Sequence, residues 1–395
     1  MTITQARRVA TRMGSIGTES AFEVSARARA LAAQGRPMIY LQIGEPDFDT
    51  PANVRAAAKR ALDEGETHYA PFPGIPALRE AIAADVAMRK GVEADPSQVF
   101  VTVGGKGVML YAIFGLVDPG DEVIVPDPGY PIYESLTRFV GATPVPIPIR
   151  MENEFRLDVD ELASLITPRT RVLFINSPAN PTGGVLDRDQ LERIAQLAVE
   201  HDLIVMADEI YAELIYDGEH TSIATFPGMA ERTVILDGFS KTYAMTGWRL
   251  GYGIFPKDLA PAITKLAVNS VSCTSVAVQR AGIAALTGPQ DRVGEFREAF
   301  RSRRGLIVDG LNAIDGISCV MPKGAFYAFP NITQTGLTSK QFADRLLDEY
   351  GVAGIAGTSF GEAGEGYLRL SYANSDANLN KALERVAAMT KDVLG

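Results

Sequence analysis

Six short runs in the middle of the chain are apolar almost without interruption. They are "VFVTV" (Val99–Val103), "EVIVP" (Glu122–Pro126), "VLFIN" (Val172–Asn176), "LIVMAD" (Leu203–Asp208), "TVILDG" (Thr233–Gly238) and "LGYGIF" (Leu250–Phe255). A strand with one wet face alternates apolar and polar residues, and most of these do not. Continuous runs must be covered on both faces, which is the condition of a parallel sheet between two layers of helices. Helical patterns fall between the runs. In "LDRDQLERIAQLAVEHD" Asp187 can cap, Gln190 can close the box and Leu186 can staple to Leu191, while Leu191, Ile194, Leu197 and Ala198 share a face. "PALREAIAADVAMRKG" starts on Pro76 and stops at Gly91, the expected asymmetry of helix ends.

The last hundred residues read differently. Helix-like stretches ("FREAFRSRRGLIVDGL", "SKQFADRLLDEYG") surround short strands ("GAFYAFP", "GYLRLSY"). The expectation is an α/β fold. A large domain over 51–288 carries a mostly parallel sheet sandwiched by helices, and 1–50 with 289–395 form a smaller α+β domain. The proline-rich "GATPVPIPIR" reads as an edge strand and its approach, because proline cannot donate in a central ladder. "GSIGTESAFEV", near the N-terminus, is expected to lie over the cleft between the domains and to move on substrate binding.

Composition narrows the function. The 395 residues carry a formal charge of −10 and no block rich in Lys and Arg, which argues against nucleic acid or an anionic membrane as partner. Two cysteines, Cys273 and Cys319, stand far apart, which fits a reducing cytosol. His68, His201 and His220 are too scattered to suggest a metal site. The longest apolar stretch, Met109–Val117, falls short of the roughly 20 residues a membrane span needs, and no apolar core follows the N-terminal arginines to make a signal peptide.

In an open α/β sheet, ligands bind beyond the carboxyl ends of the strands. Those ends offer "GGKG" after Val103, "DPGYP" after Pro126, "SPANPTGG" after Asn176, "DEIY" from Asp208 and "FSK" after Gly238. Gly104–Gly105 before a helix can cradle an anion on bare N–H groups, or simply make a tight turn. Ser240 and Arg249 can add phosphate donors, or can serve as a cap and a surface ion pair. Asp208 closes an apolar run, so its carboxylate needs a cationic partner: a neighbouring arginine, or a cationic ring nitrogen on a ligand. Lys241 beside Ser240 is the telling residue. A desolvated lysine has a lowered pKa and can form a Schiff base with an aldehyde. A phosphate cradle, an acid for a ring nitrogen, an aromatic ring and a nucleophilic lysine are together what pyridoxal 5′-phosphate demands.

With these motifs the chain resembles the class I/II aminotransferases among the fold-type-I pyridoxal-phosphate enzymes. The resemblance rests on "IGEPDF" (Ile43–Phe48), "HYAPFPGIPALREAI" (His68–Ile82), "NPTGG" (Asn180–Gly184), "DEIY" (Asp208–Tyr211), "SKTYAMTGWRLGY" (Ser240–Tyr252) and "YLRLSY" (Tyr367–Tyr372), in the family's order. It implies that Lys241 carries the cofactor and moves protons, with Asp208 keeping the pyridine nitrogen protonated. Tyr211 and Asn180 would bind the phenolic oxygen, and Tyr130 would stack on the ring. Gly105, Lys106, Ser240 and Arg249 would hold the phosphate, with Tyr69 reaching in from the second subunit of a homodimer. Arg369, helped by Gly44 and Asn180, would hold the substrate α-carboxylate. The expected activity is a cytoplasmic transaminase moving an amino group between an L-amino acid and a 2-oxo acid, of aspartate or broad aromatic specificity.

No arginine matches the family's distal-carboxylate residue; Arg280 lies in that region of the chain but can equally face solvent. Three other readings compete. A lyase or decarboxylase would share the same lysine, aspartate and arginine. A nicotinamide-dependent oxidoreductase would use "VFVTVGGKG" with Asp127, but Leu110 stands where the third glycine of its fingerprint belongs. A pyridoxal-binding regulator would need a DNA-binding domain, for which there is no spare chain.

Overall fold

The computed structural model describes residues 9–17 and 19–395. The first eight residues of the expected smaller domain, and Thr18 within "GSIGTESAFEV", lie outside the described residues. After a short strand, β1 (Ile39–Tyr40), come the seven strands of the main sheet: β2 (Val99–Val103), β3 (Glu122–Asp127), β4 (Thr143–Pro148), β5 (Thr170–Asn176), β6 (Ile204–Asp208), β7 (Thr233–Gly238) and β8 (Leu250–Ile254). Their order across the sheet is β2-β8-β7-β6-β5-β3-β4. All neighbours are parallel except β8, which runs antiparallel to both β2 and β7. β4 is the edge, and its prolines 144, 146 and 148 recur every second residue, so they share one side of the backbone. An edge strand with its missing N–H groups facing away from the ladder loses no sheet hydrogen bond.

The apolar runs are buried on both faces. Ile124, Leu173 and Val205 pack with Leu191 and Ile194 of the helix Arg188–Glu200, whereas Val123, Val172, Met206 and Val234 pack on the other side with Met109 and Ala112. Asp187 and Gln190 close the capping box of Arg188–Glu200, and the helix Pro76–Lys90 ends at Gly91 in the left-handed region. Such caps are worth about 1 kcal/mol each.

A second group of elements is built from chain on either side of this sheet. β9 (Tyr327–Ala328) and β11 (Ile355–Ala356) flank β12 (Leu368–Ser371), both antiparallel to it, while β10 (Val352–Ala353) pairs with β1 in parallel. The helices Asp291–Asn312 and Asp376–Leu394 bury Phe296, Phe300, Leu379 and Val386 in the same core. Phe48 stacks on Phe296 at 4.3 Å, tying the N-terminal segment to this group. Ala28 of the helix Ser20–Ala33 packs with Leu347 and Ala353. Between the strand ends and this second group lies a cavity of about 500 Å³.

Candidate active site

The cavity has a cationic pole where β2 turns into the helix Gly105–Leu116. Gly104 sits at φ 72°, and a side chain there would place its Cβ 2.2 Å from Arg249 Nη2. The turn must therefore be bare for the guanidinium to lie against it. Arg249 is itself held at φ 56° and donates from Nη1 to the Thr246 carbonyl at 2.8 Å. Ser240 is buried and lines the same space. Helix N–H groups, a hydroxyl and a guanidinium aimed into one cavity suit a phosphate.

Asp208, the last residue of β6, stands at the next strand end. It is 4% exposed and accepts from the Tyr133 hydroxyl at 2.6 Å and from the Ile210 N–H at 3.3 Å. Burial pushes its carboxyl up to about 6; the two hydrogen bonds oppose this, and nearby Asp237 and Glu209 add to it. Its neighbour Glu209 points into a different environment. Lys90 reaches Glu209 at 2.7 Å and Asp237 at 2.6 Å, and Glu209 also accepts from Ser222 at 2.6 Å and faces His220 at 3.1 Å. Despite burial, Lys90 and His220 hold Glu209 well below the usual carboxylate range. The two adjacent acids are thus treated oppositely, and only Asp208 lines the cavity.

Lys241, in the turn after β7, has its ammonium pulled down to about 8. Burial is the main cause; Arg369 and Arg249 push the same way, and Glu45 and Asp208 oppose. Its Nζ donates to the Gly44 carbonyl and lies 5.9 Å from the centre of the Tyr211 ring and 5.7 Å from that of Phe326. The absence of a side chain on Gly44 makes room for Tyr327: a Cβ there would fall 1.8 Å from the Tyr327 hydroxyl. Tyr327 in turn meets the Tyr211 hydroxyl at 2.7 Å.

Arg369 reaches in from β12. Its Nη1 donates to Asn180 Oδ1 at 3.0 Å and its Nη2 to the Gln42 carbonyl at 2.5 Å, between the rings of Tyr327 (4.6 Å) and Phe360 (4.7 Å). The side chain is almost wholly buried and its Nε has no hydrogen-bond partner in the protein. Asn180 is steadied by its own N–H, which donates to Asn176 Oδ1 at 2.8 Å.

Gly44, Gly105, Lys106, Tyr130, Asn180, Asp208, Tyr211, Ser240, Lys241, Arg249 and Arg369 therefore all line one cavity. Tyr69 does not; it is 90% exposed. Arg280 is outside the lining too, forked onto Glu66 at 2.7 Å through both Nε and Nη2. Sequence reasoning missed Tyr133, Tyr327 and Glu19. Tyr133 falls three residues after Tyr130, and Tyr327 sits inside "GAFYAFP", so both had a faint signal. Glu19 had none. Its Oε1 pairs with Lys106 Nζ and accepts from the Tyr130 hydroxyl at 3.2 Å.

These residues fit pyridoxal phosphate. Asp208 is a buried carboxyl short of a cation, which a protonated ring nitrogen supplies. The Gly104–Gly105 turn is kept bare beside a guanidinium, and Lys241 is a partly neutral amine in the same cavity. The sheet order also removes the nucleotide-fold reading, since β3 with Asp127 lies five strands from β2 rather than beside it.

Comparison with known proteins agrees with this chemistry. The family model for aminotransferase class I and II matches residues 36–386. An aspartate aminotransferase of Pyrococcus abyssi is 45% identical over 92% of this chain and 94% of that protein. An aromatic-amino-acid aminotransferase 2 of Thermococcus litoralis is 44% identical over 91% and 94% of the two chains. Among solved structures, the Thermus thermophilus aspartate aminotransferase with maleate superposes with a TM-score of 0.93 at 42% identity, covering 97% of this chain and 99% of that one.

Proposed function

Since the chain belongs to the class I and II aminotransferases, a pyridoxal-phosphate-dependent family, we propose that this cavity is where it moves an amino group between an L-amino acid and a 2-oxo acid. The names of its relatives point to aspartate or aromatic substrates. One observation carries the assignment of residues: an amine brought down to about 8 and a carboxyl brought up to about 6 share one cavity. Groups shifted toward each other across neutral pH are suited to proton transfer.

When bound, pyridoxal phosphate supplies an aldehyde carbon and a ring that withdraws electrons from the substrate α-carbon. Asp208, oriented by Tyr133, keeps the ring nitrogen protonated. Gly105 and Lys106 through their N–H groups, with Ser240 and Arg249, would hold the phosphate; Tyr130 would stack on the ring, and Asn180 and Tyr211 would bind its phenolic oxygen. Arg369 forks onto the substrate α-carboxylate beside Gly44 and Asn180. Lys241 Nζ would hold the cofactor and, as a neutral amine, would accept the proton from the substrate α-carbon. Residues 51–288 would form the cofactor-binding part, and the described residues of 1–50 with 289–395 the part that brings Arg369 and Gly44 to it.

Borohydride reduction followed by peptide mapping is expected to leave the cofactor's mass on the peptide containing Lys241. A label elsewhere, or none, refutes the role given to that residue. We also infer a homodimer in which Tyr69, bare on its own chain, completes the phosphate site of the other. Light scattering that finds an active monomer refutes it. A cytoplasmic setting is supported by two free cysteines, and among the described residues no helix is long and apolar enough to cross a membrane.

A further inference from the structure

Four cations line the cavity among the described residues: Lys106, Lys241, Arg249 and Arg369. The function proposed above uses the side-chain charge of three of them. The fourth, Lys106, is the cation of this chain whose ammonium is left for a second carboxylate on a substrate side chain. It is already taken: Glu19, from the N-terminal segment, lays its Oε1 on Lys106 Nζ and on the Tyr130 hydroxyl at 3.2 Å. The pair is partly exposed, 46% for the lysine side chain and 20% for the glutamate. The same segment adds Ala21 and Phe22 to the lining, both apolar. Arg280, the other cation considered for that role, is occupied by Glu66.

We propose that Glu19 is a specificity-determining residue, a carboxylate supplied by the chain itself that occupies the place of a substrate's second carboxylate and so selects amino acids with uncharged side chains over dicarboxylic ones. The proposal rests on the transaminase reading and narrows its substrate class. A dicarboxylic substrate must displace Glu19 from Lys106 and then tolerate a like charge beside it, whereas an aromatic or aliphatic side chain leaves the pair intact and packs on Phe22. An ion pair of this exposure, with the repulsion added, is worth on the order of tenfold in binding.

The test uses the cofactor-loaded protein and two readouts. Maleate, a dicarboxylate that cannot react, is titrated by calorimetry; the half-reactions with L-aspartate and L-phenylalanine are followed by absorbance. Wild-type protein is expected to bind maleate weakly and to prefer phenylalanine. Glu19→Gln should tighten maleate about tenfold and raise the aspartate-to-phenylalanine ratio of kcat/KM by a similar factor. Glu19→Asp, which keeps the charge, should retain most of the discrimination, and Glu19→Gln with Lys106→Met should lose the gain. Unchanged maleate affinity in Glu19→Gln, a gain that survives loss of Lys106, or a wild-type protein that already favours aspartate overturns the proposal. If neither amino acid reacts, it is the transaminase reading that falls, and the maleate titration still decides on Glu19.

Discussion

Replacing Asp208 by asparagine should make the cofactor-free protein more stable at high pH while crippling its function. The folded protein raises this carboxyl from 3.8 to about 6, chiefly by burial. At about 1.4 kcal/mol per tenfold change in proton affinity, the buried charge costs the fold about 3 kcal/mol. The sign follows from the raised value: below 3.8 the group is neutral in both states and the cost is absent, it grows between 3.8 and about 6, and it is complete above that. Asparagine removes the charge but presents an amide to the Tyr133 hydroxyl or the Ile210 N–H, which returns about 1 kcal/mol. Urea denaturation of the cofactor-free protein should therefore favour Asp208→Asn by about 2 kcal/mol at pH 8 and by less than about 1 kcal/mol at pH 5. With cofactor bound the order should reverse, because the ring cation then compensates the wild-type charge. An asparagine variant without advantage at pH 8, or with one that grows on acidification, would refute the claim that this carboxylate is held short of a cation.

Gly44→Ala should force the Tyr327 hydroxyl aside, since the new Cβ would fall 1.8 Å from it; half-reaction rates should drop on the order of a hundredfold through misplacement of Tyr211 and Lys241, and stopped-flow absorbance checks this. Lys90→Met strands Glu209 and Asp237 without their cation, so thermal or chemical unfolding should show a loss of about 3–5 kcal/mol. Capture of pyridoxal phosphate by the cofactor-free protein needs the neutral amine of Lys241, so its rate should rise with pH and level off above about 8; a rise that continues past pH 10 would mean that the lysine is not perturbed.

Much of the fold was legible because burial on both faces leaves a local mark. The runs at Val172–Asn176 and Thr233–Gly238 needed no tertiary information, and the boundaries of β5, β6 and β8 differ from the sequence expectation by only a residue or two at one end. The reversed direction of β8 was not legible, since periodicity reports burial and says nothing of strand polarity. Within the site, the residues that sit directly after strands could be located, because topology puts all such ends on one side. The residues that orient them could not. Tyr133 hides in the first turns of a helix, Tyr327 in a two-residue strand, and Glu19 reaches Lys106 across 87 positions of sequence.

The pair Asp208–Glu209 shows why composition alone cannot identify such a site. Side by side in sequence, the two carboxylates leave the end of one strand in different directions, because successive side chains on extended backbone alternate. Glu209 meets Lys90, His220 and Ser222 and becomes a structural anion, while Lys90 also ties Asp237 on β7 to the helix Pro76–Lys90. Asp208 meets a tyrosine, an amide and a cavity. Had both been matched with cations, the end of β6 would be only a well-satisfied strand terminus. Leaving one of them short of a cation, while its neighbour anchors the strands, gives a negative group to the same cavity that holds the cationic turn at Gly104. A ligand with a cationic ring and an anionic phosphate matches that pair of charges.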